Sequence, residues 1–308
     1  MADSITKTPV ILILFNRPDT TEQVFEAIRQ AKPNKLLIIA DGPRQNYSGE
    51  AELCAKTRSV VESVDWDCEV IKNYSEINLG CKQRVSSGLD WAFSLVEEAI
   101  VIEDDCLPNS SFFKFCEEML QMYRHDRRVM MISGTNMLEE WKSASQSYHF
   151  SYYGGIWGWA SWQRAWQYYD IDMSLWADPE IKARIGDVLV DNEQYLHSKQ
   201  AFDASCDGRI DAWGYRWRFA RLIQSGLSIV PSVNLVSNIG FRQDASRTTS
   251  GSSPLAEIPT HHLEFPLKSN QFTAVDRDYD RQIFLKNTQK PHLLTRIKHK
   301  LKNFQLKN

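Results

Sequence analysis

The sequence predicts an α/β fold in which a Rossmann-like, mostly parallel sheet is flanked by helices. Two observations carry this expectation. Short apolar and β-branched runs alternate with longer amphipathic stretches over residues 9–135, the pattern of strands sandwiched between two helical layers. Polar residues close the apolar runs, as Asn16-Arg17, Asp41-Gly42 and Glu103-Asp104-Asp105, which suits strands that deliver side chains to a single sheet edge.

Five strands are expected, at 10–15, 35–40, 68–72, 99–103 and 129–133. Helices are expected between and after them, at 20–31, 49–64, 81–96 and 110–124. The first follows Pro18-Asp19, where an aspartate or threonine can cap, and it places Val24, Phe25 and Ile28 on one face. Near residue 148 the texture changes. The stretch Tyr152-Tyr153-Gly154-Gly155-Ile156-Trp157-Gly158-Trp159 reads as an irregular wall, and Trp162 and Trp166 after it read as core. Helical segments at 179–190 and 212–224 and a strand at 227–230 follow. Residues 243–259, rich in Ser, Thr, Gly and Pro, read as a mobile loop. Residues 292–308 set Leu293, Leu294, Ile297, Leu301 and Phe304 at helical spacing among Arg296, Lys298, Lys300, Lys302 and Lys307, a basic amphipathic helix.

Composition narrows the function classes. With 43% hydrophobic and 24% charged residues, the chain is neither disordered nor a membrane bundle. A formal net charge of -3 provides no basic field for nucleic acid. Residues 1–9 are polar and run into the apolar 10–15, too short for a signal peptide or a span, so a cytoplasmic location is expected. Cys54, Cys68, Cys81, Cys106, Cys116 and Cys206 form no CxxC pair. They read as reduced packing residues, without a zinc site or disulfide framework.

The chemistry should lie at the carboxyl ends of the strands. Glu103, Asp104 and Asp105 close the apolar Ile100-Val101-Ile102, and adjacent carboxylates repel unless a hard cation takes their oxygens. Mg²⁺ or Mn²⁺ held there could bridge a diphosphate. A solvated loop is the plain alternative.

The ordered set Ile11-Leu12-Ile13-Leu14-Phe15-Asn16-Arg17, Ile38-Ile39-Ala40-Asp41-Gly42, Val101-Ile102-Glu103-Asp104-Asp105 and Phe112-Phe113 resembles the inverting GT-A glycosyltransferases related to the N-acetylglucosaminyltransferase that begins complex N-glycans, and bacterial sugar transferases of the same pattern. The resemblance covers residues 9–242 and implies a GT-A, nucleotide-diphospho-sugar transferase fold. It implies that Asp105 binds Mn²⁺ or Mg²⁺ directly, with Glu103 and Asp104 acting through water or on ribose and sugar. It implies nucleotide contacts from Arg17 and Asp41, for which a surface ion pair and a turn are the respective alternatives. Lys82 and Arg84 are candidates for phosphate or acceptor contacts. Ile210-Asp211-Ala212-Trp213 resembles the segment bearing the catalytic base, which assigns that role to Asp211, although the family's second acidic residue is Ala212 here. Asp211 is also placed to cap the next helix. Trp157, Gly158 and Trp159 match the family's loop near sugar and acceptor. A metal-binding histidine found widely in the fold has no counterpart, Arg247 lying in the loop instead.

These expectations organise the chain as one catalytic domain at 1–268, with a nucleotide-sugar-binding half at 9–135, an acceptor half at 136–242 and the loop region at 243–268, then a basic tail at 269–308. The implied partners are a nucleotide-sugar donor, with UDP the leading nucleotide, and a glycan or lipid-linked acceptor. The tail suits peripheral contact with an anionic membrane face. Two rival readings remain: a sugar nucleotidyltransferase, which would carry a glycine-rich basic loop where this chain has Phe15-Asn16-Arg17-Pro18, and a non-catalytic carbohydrate-binding or membrane-active protein.

Overall fold

The computed structural model describes residues 6–241 and 258–288. Arg247, most of the expected loop at 243–259 and the basic helix at 292–308 lie outside the described residues.

The elements run β1 (Val10–Leu14), α1 (Pro18–Ala31), β2 (Lys35–Ala40), α2 (Glu50–Val60), β3 (Glu69–Tyr74), α3 (Gly80–Leu95), β4 (Glu98–Glu103), β5 (Cys106–Pro108) and α4 (Ser110–Tyr123). They continue with β6 (Val129–Ser133), β7 (Tyr148–Ser151), β8 (Trp159–Trp162), α5 (Gln163–Trp166), a 3₁₀ turn at Ser174–Ala177, α6 (Pro179–Leu189) and α7 (Asn192–Cys206). The last are α8 (Trp213–Ile223), β9 (Leu227–Pro231), β10 (Val236–Asn238) and α9 (Arg277–Thr288).

An eight-stranded sheet forms in the order β3-β2-β1-β4-β8-β6-β9-β7. Parallel pairing links β3, β2, β1 and β4, and β6 with β9, while β8 and β7 run the other way. This is the mostly parallel, helix-flanked, Rossmann-like architecture the sequence predicts.

Side-chain alternation along the central strands builds both layers. Leu12, Leu36, Ile38, Ile100 and Ile102 face one side, where α1 supplies Val24, Phe25 and Ile28 and α4 supplies Phe112, Phe115 and Met119. Ile11, Ile13, Leu37, Ile39 and Val101 face the other, against α3 (Val85, Leu89, Phe93) and α8 (Trp213, Trp217). Strands buried on both faces need apolar residues at every position, and this is why β1, β2 and β4 were conspicuous in sequence.

The aromatic stretch departs from expectation. Its end, Trp159–Trp162, is a regular strand, β8, inserted antiparallel between β4 and β6 with Val101 opposite Trp159. All four of its residues are buried, so no polar alternation betrays it. Trp162 and Trp166 are core residues, at 2% and 3% exposure. None of the six cysteines is in a disulfide.

Two further features complete the fold, the first of them at the end of β4. β10 pairs antiparallel with β5, placing Asn238 opposite Cys106 and drawing the segment after β9 against the end of β4. α9 buries Tyr279, Asp280 and Ile283, and the Asp280 carboxylate accepts a hydrogen bond from Ser151 Oγ. No helix among the described residues is long and apolar enough to cross a membrane.

Candidate active site

A cavity of about 400 Å³ opens at the carboxyl ends of β1, β2 and β4, within the range of small-molecule sites. Its lining comes from the β1–α1 loop (Phe15, Asn16, Arg17), from Asp41 and Arg44 after β2, from Asn78, Gly80, Cys81 and Arg84 where α3 begins, and from Glu103, Asp104 and Asp105. Ile156, Trp157, Trp213 and Asn238 close the remaining side. Of the sequence-derived candidates, Arg17, Asp41, Glu103, Asp104, Asp105 and Trp157 therefore share one cavity.

The carboxylate run ends a strand whose neighbours are fully apolar. Asp104 turns inward, its Oδ2 accepting the Phe15 backbone N–H at 2.9 Å. Burial, with the Asp105 charge beside it, raises its pKa well above the usual carboxylate range. Asp105 points into the cavity, and its Oδ2 accepts from Arg17 Nη1 at 2.7 Å. Asn238 Nδ2 and the Cys106 thiol approach its Oδ1 at 3.4 Å. Asn238 is itself fixed, since its Oδ1 accepts the Gly240 N–H. Glu103 is half-buried at the cavity wall.

Asp41 behaves differently from expectation. Its Oδ1 accepts from the N–H groups of Gly42 and Leu79 at 2.9 Å, and its Oδ2 from Gly80 N at 3.0 Å and Asn78 Nδ2 at 3.1 Å. A carboxylate offers about four lone-pair positions, and all are used. In this conformation Asp41 is the joint between β2 and the start of α3, not an open acceptor for a base. Arg84 is also structural: buried, it donates to the carbonyls of Ala40 and Asn73 and ties β2, β3 and α3 together.

Asp211 lies beside the cavity rim. Its Oδ1 is 3.7 Å from Lys82 Nζ, and a Cβ added to the cavity-lining Gly80 would sit 3.9 Å from its Oδ2. Ala212 holds the N-cap position of α8 and makes no side-chain cap bond of its own, with Asp211 one residue before it. The Asp211 side chain is 59% exposed, accessible to an incoming hydroxyl. Lys82 faces Asp211 and is not part of the cavity lining.

The tryptophan wall needs correction. Trp157 lines the cavity with Phe241 against its ring edge-on at 5.5 Å. Trp159 is fully buried, packed on Trp213 and Trp217 with ring centroids 5.7 Å and 5.9 Å away, so it cannot touch a ligand. The left-handed backbone of Gly158 (φ +63) breaks the alternation between them. A Cβ there would lie 2.8 Å from Val236 Cγ2, so Gly158 serves close packing. Trp213 replaces Trp159 as the second cavity-lining indole.

Arg44 and Asn78 were not assigned a role from sequence. Arg44 lies 3.6 Å over the Tyr47 ring and pairs with the buried Glu50, which also accepts from Asn16 Nδ2 at 2.9 Å. The spacing Arg44-x₅-Glu50 before a helix was the available signal.

Around the cavity stand four carboxylates (Asp41, Glu103, Asp104, Asp105) and three guanidinium groups (Arg17, Arg44, Arg84). Such a lining does not welcome a bare polyanion. Among the described residues no cluster of three or more His, Cys, Asp or Glu side chains is gathered for a metal. The donor chemistry is carboxylate oxygen, which fits Mg²⁺ or Mn²⁺ bound by one or two carboxylates, with water and substrate phosphates completing the shell.

No protein-family model matches the chain, and no curated protein matches its sequence. Among solved structures, the chain is similar to 4-diphosphocytidyl-2C-methyl-D-erythritol synthase from Anaerococcus prevotii, with a TM-score of 0.34 and 9% identity over 56% of this chain and 78% of that one. It is also similar to a UDP-glucose pyrophosphorylase complexed with UDP-glucose, with a TM-score of 0.24 and 13% identity over 47% of this chain and 63% of that one. At these levels the likeness is partial and carries no activity across.

Proposed function

We propose that this protein is a metal-dependent inverting glycosyltransferase that moves a sugar from a nucleotide-diphosphate donor to a hydroxyl of a glycan or lipid-linked acceptor. The observation that supports it most is the juxtaposition of the Asp105 carboxylate, at the end of the central strand β4, with an exposed aspartate, Asp211, at the rim of the same cavity.

Asp105, helped by Glu103 and Asp104, would hold Mn²⁺ or Mg²⁺; when bound, that ion neutralises charge on the departing diphosphate. Arg17 adds charge-assisted hydrogen bonds to the phosphates. Trp157 offers indole surface to the C–H faces of a sugar, with the buried Trp213 behind the cavity wall. The acceptor oxygen attacks the anomeric carbon as the bond from that carbon to the diphosphate oxygen breaks, the bonding pair leaving with the diphosphate. Asp211 takes the proton of the attacking hydroxyl. Attack opposite the leaving group inverts the anomeric centre.

A panel of nucleotide sugars, with and without Mn²⁺, tests the reading. Metal-dependent release of the nucleoside diphosphate supports it. Pyrophosphate release from a nucleoside triphosphate plus a sugar phosphate would instead identify a nucleotidyltransferase.

A further inference from the structure

We infer that Asn78 reads the pairing edge of the donor's base and selects one that carries a ring N–H there, uracil or guanine, against cytosine and adenine. This rests on the glycosyltransferase reading for the nucleotide itself, and it goes beyond that reading in naming the residue and the base class.

The amide of Asn78 has only one chemically sensible orientation. Its Nδ2 lies 3.1 Å from Asp41 Oδ2 and 2.9 Å from the Gly42 carbonyl oxygen. Both partners only accept, so both N–H bonds are spent on them. The amide oxygen is consequently turned away from Asp41, and it accepts no hydrogen bond among the described residues, while Asn78 lines the cavity. It presents an acceptor to whatever occupies this end of the site.

The placement favours a base as that occupant. Asp105 follows β4 and Asp41 follows β2, with β1 between them. At about 4.8 Å per strand the two positions lie about 10 Å apart across the sheet. With the sugar against Trp157, a diphosphate at Asp105 leaves β1 for the ribose and the Asp41–Asn78 end of the cavity for the base. Arg44, stacked on Tyr47, stands at the same end.

The platform is rigid. A Cβ on Gly42 would fall 2.6 Å from the Ile77 carbonyl carbon and 2.7 Å from that of Glu76, so the turn bearing Asn78 crosses directly over the end of β2. Arg58 Nη2 fastens the two backbones by donating to the carbonyls of both Asp41 and Ser75. With Asp41 saturated, Asn78 Oδ1 is the acceptor that an imide N–H would meet. A base with a ring acceptor at that position would oppose two lone pairs and leave both unpaired.

Calorimetric binding to the full-length protein with Mn²⁺ present provides the test, with UDP, GDP, CDP, ADP and N3-methyl-UDP as probes. UDP or GDP should bind about tenfold to a hundredfold more tightly than CDP or ADP, and N3-methylation of UDP should remove a similar factor. Asn78→Ala should bring UDP and N3-methyl-UDP to within about twofold of each other. Should that variant fail to fold, the N3-methyl comparison on the native protein still decides. Equal binding of UDP and N3-methyl-UDP, or a preference for CDP or ADP, overturns the inference while leaving the glycosyltransferase reading standing. Binding of none of the five overturns both.

Discussion

Arg17 Nη1 lies 2.7 Å from Asp105 Oδ2, with both side chains largely buried, so a guanidinium already sits on the carboxylate assigned to the cation. A divalent ion must share that carboxylate or displace the arginine. Arg17→Met is therefore expected to raise affinity for Mn²⁺ alone by about threefold to tenfold, the scale of a partly buried ion pair. The same change should weaken nucleotide binding, because a phosphate contact is lost. Electron paramagnetic resonance titration of free Mn²⁺ measures the first effect, and unchanged or weaker Mn²⁺ binding contradicts it.

Gly240 leaves no room beside that pair. A Cβ there would meet Asp105 Oδ2 at 2.1 Å and Arg17 Nη1 at 2.7 Å. Gly240→Ala should displace both groups and reduce Mn²⁺-dependent nucleotide affinity by about tenfold or more, at the cost typical of overpacking. A variant that binds nucleotide normally would show that the Arg17–Asp105 geometry does not matter for the donor.

Asp211 stands at the rim, outside the lining that holds Arg17 and Asp105, so its removal should separate chemistry from binding. Asp211→Asn is expected to lower kcat by about a hundredfold to ten-thousandfold, the usual contribution of a general base. Donor affinity should stay within about twofold of native. Transfer kinetics alongside calorimetry provide the comparison, and a native kcat removes Asp211 from the reaction.

His149 sets a stability test away from the cavity. It is buried at 2% exposure, its two ring nitrogens have no hydrogen-bond partner among the described residues, and its ring centroid is 4.1 Å from that of Tyr279. Burial depresses its pKa from 6.5 to about 4. A depressed pKa favours the neutral ring in the folded state, so its stabilisation is complete above pH 6.5 and is lost as pH falls toward 4. The loss approaches about 3 kcal/mol. In urea unfolding between pH 7 and pH 4, His149→Phe should lose less stability than the native protein by about that amount. Parallel pH profiles for the two proteins would contradict the assignment.

Much of residues 9–135 was legible because the strands there are buried on both faces and the helices carry single apolar stripes. Val10–Leu14, Lys35–Ala40 and Val129–Ser133 stand within a residue of where hydrophobic runs placed them. β8 was not legible, since Trp159–Trp162 is buried on both faces within an aromatic stretch that resembles a loop. α7 escaped notice for the opposite reason, its apolar residues being sparse, although Asp191 caps it by accepting the Gln194 N–H. At the site, the acidic run pointed to a strand end that lines the cavity. The duty of Asp41 could not be read, because its partners at Asn78, Leu79 and Gly80 lie nearly forty residues downstream and meet it only once β3 has paired with β2. The split between Trp157 and Trp159 depends on one left-handed glycine. A two-residue spacing alone assigns both indoles to the same face.

The most direct test is calorimetric titration of UDP and GDP into the native protein and into Asp105→Ala, each with Mn²⁺ and with a chelator. A cation at the end of β4 that holds the donor's diphosphate predicts nucleotide binding to the native protein only when Mn²⁺ is present, and little binding to the variant in either condition. Nucleotide affinity that is the same with chelator as with Mn²⁺, or the same in the variant as in the native protein, would contradict it.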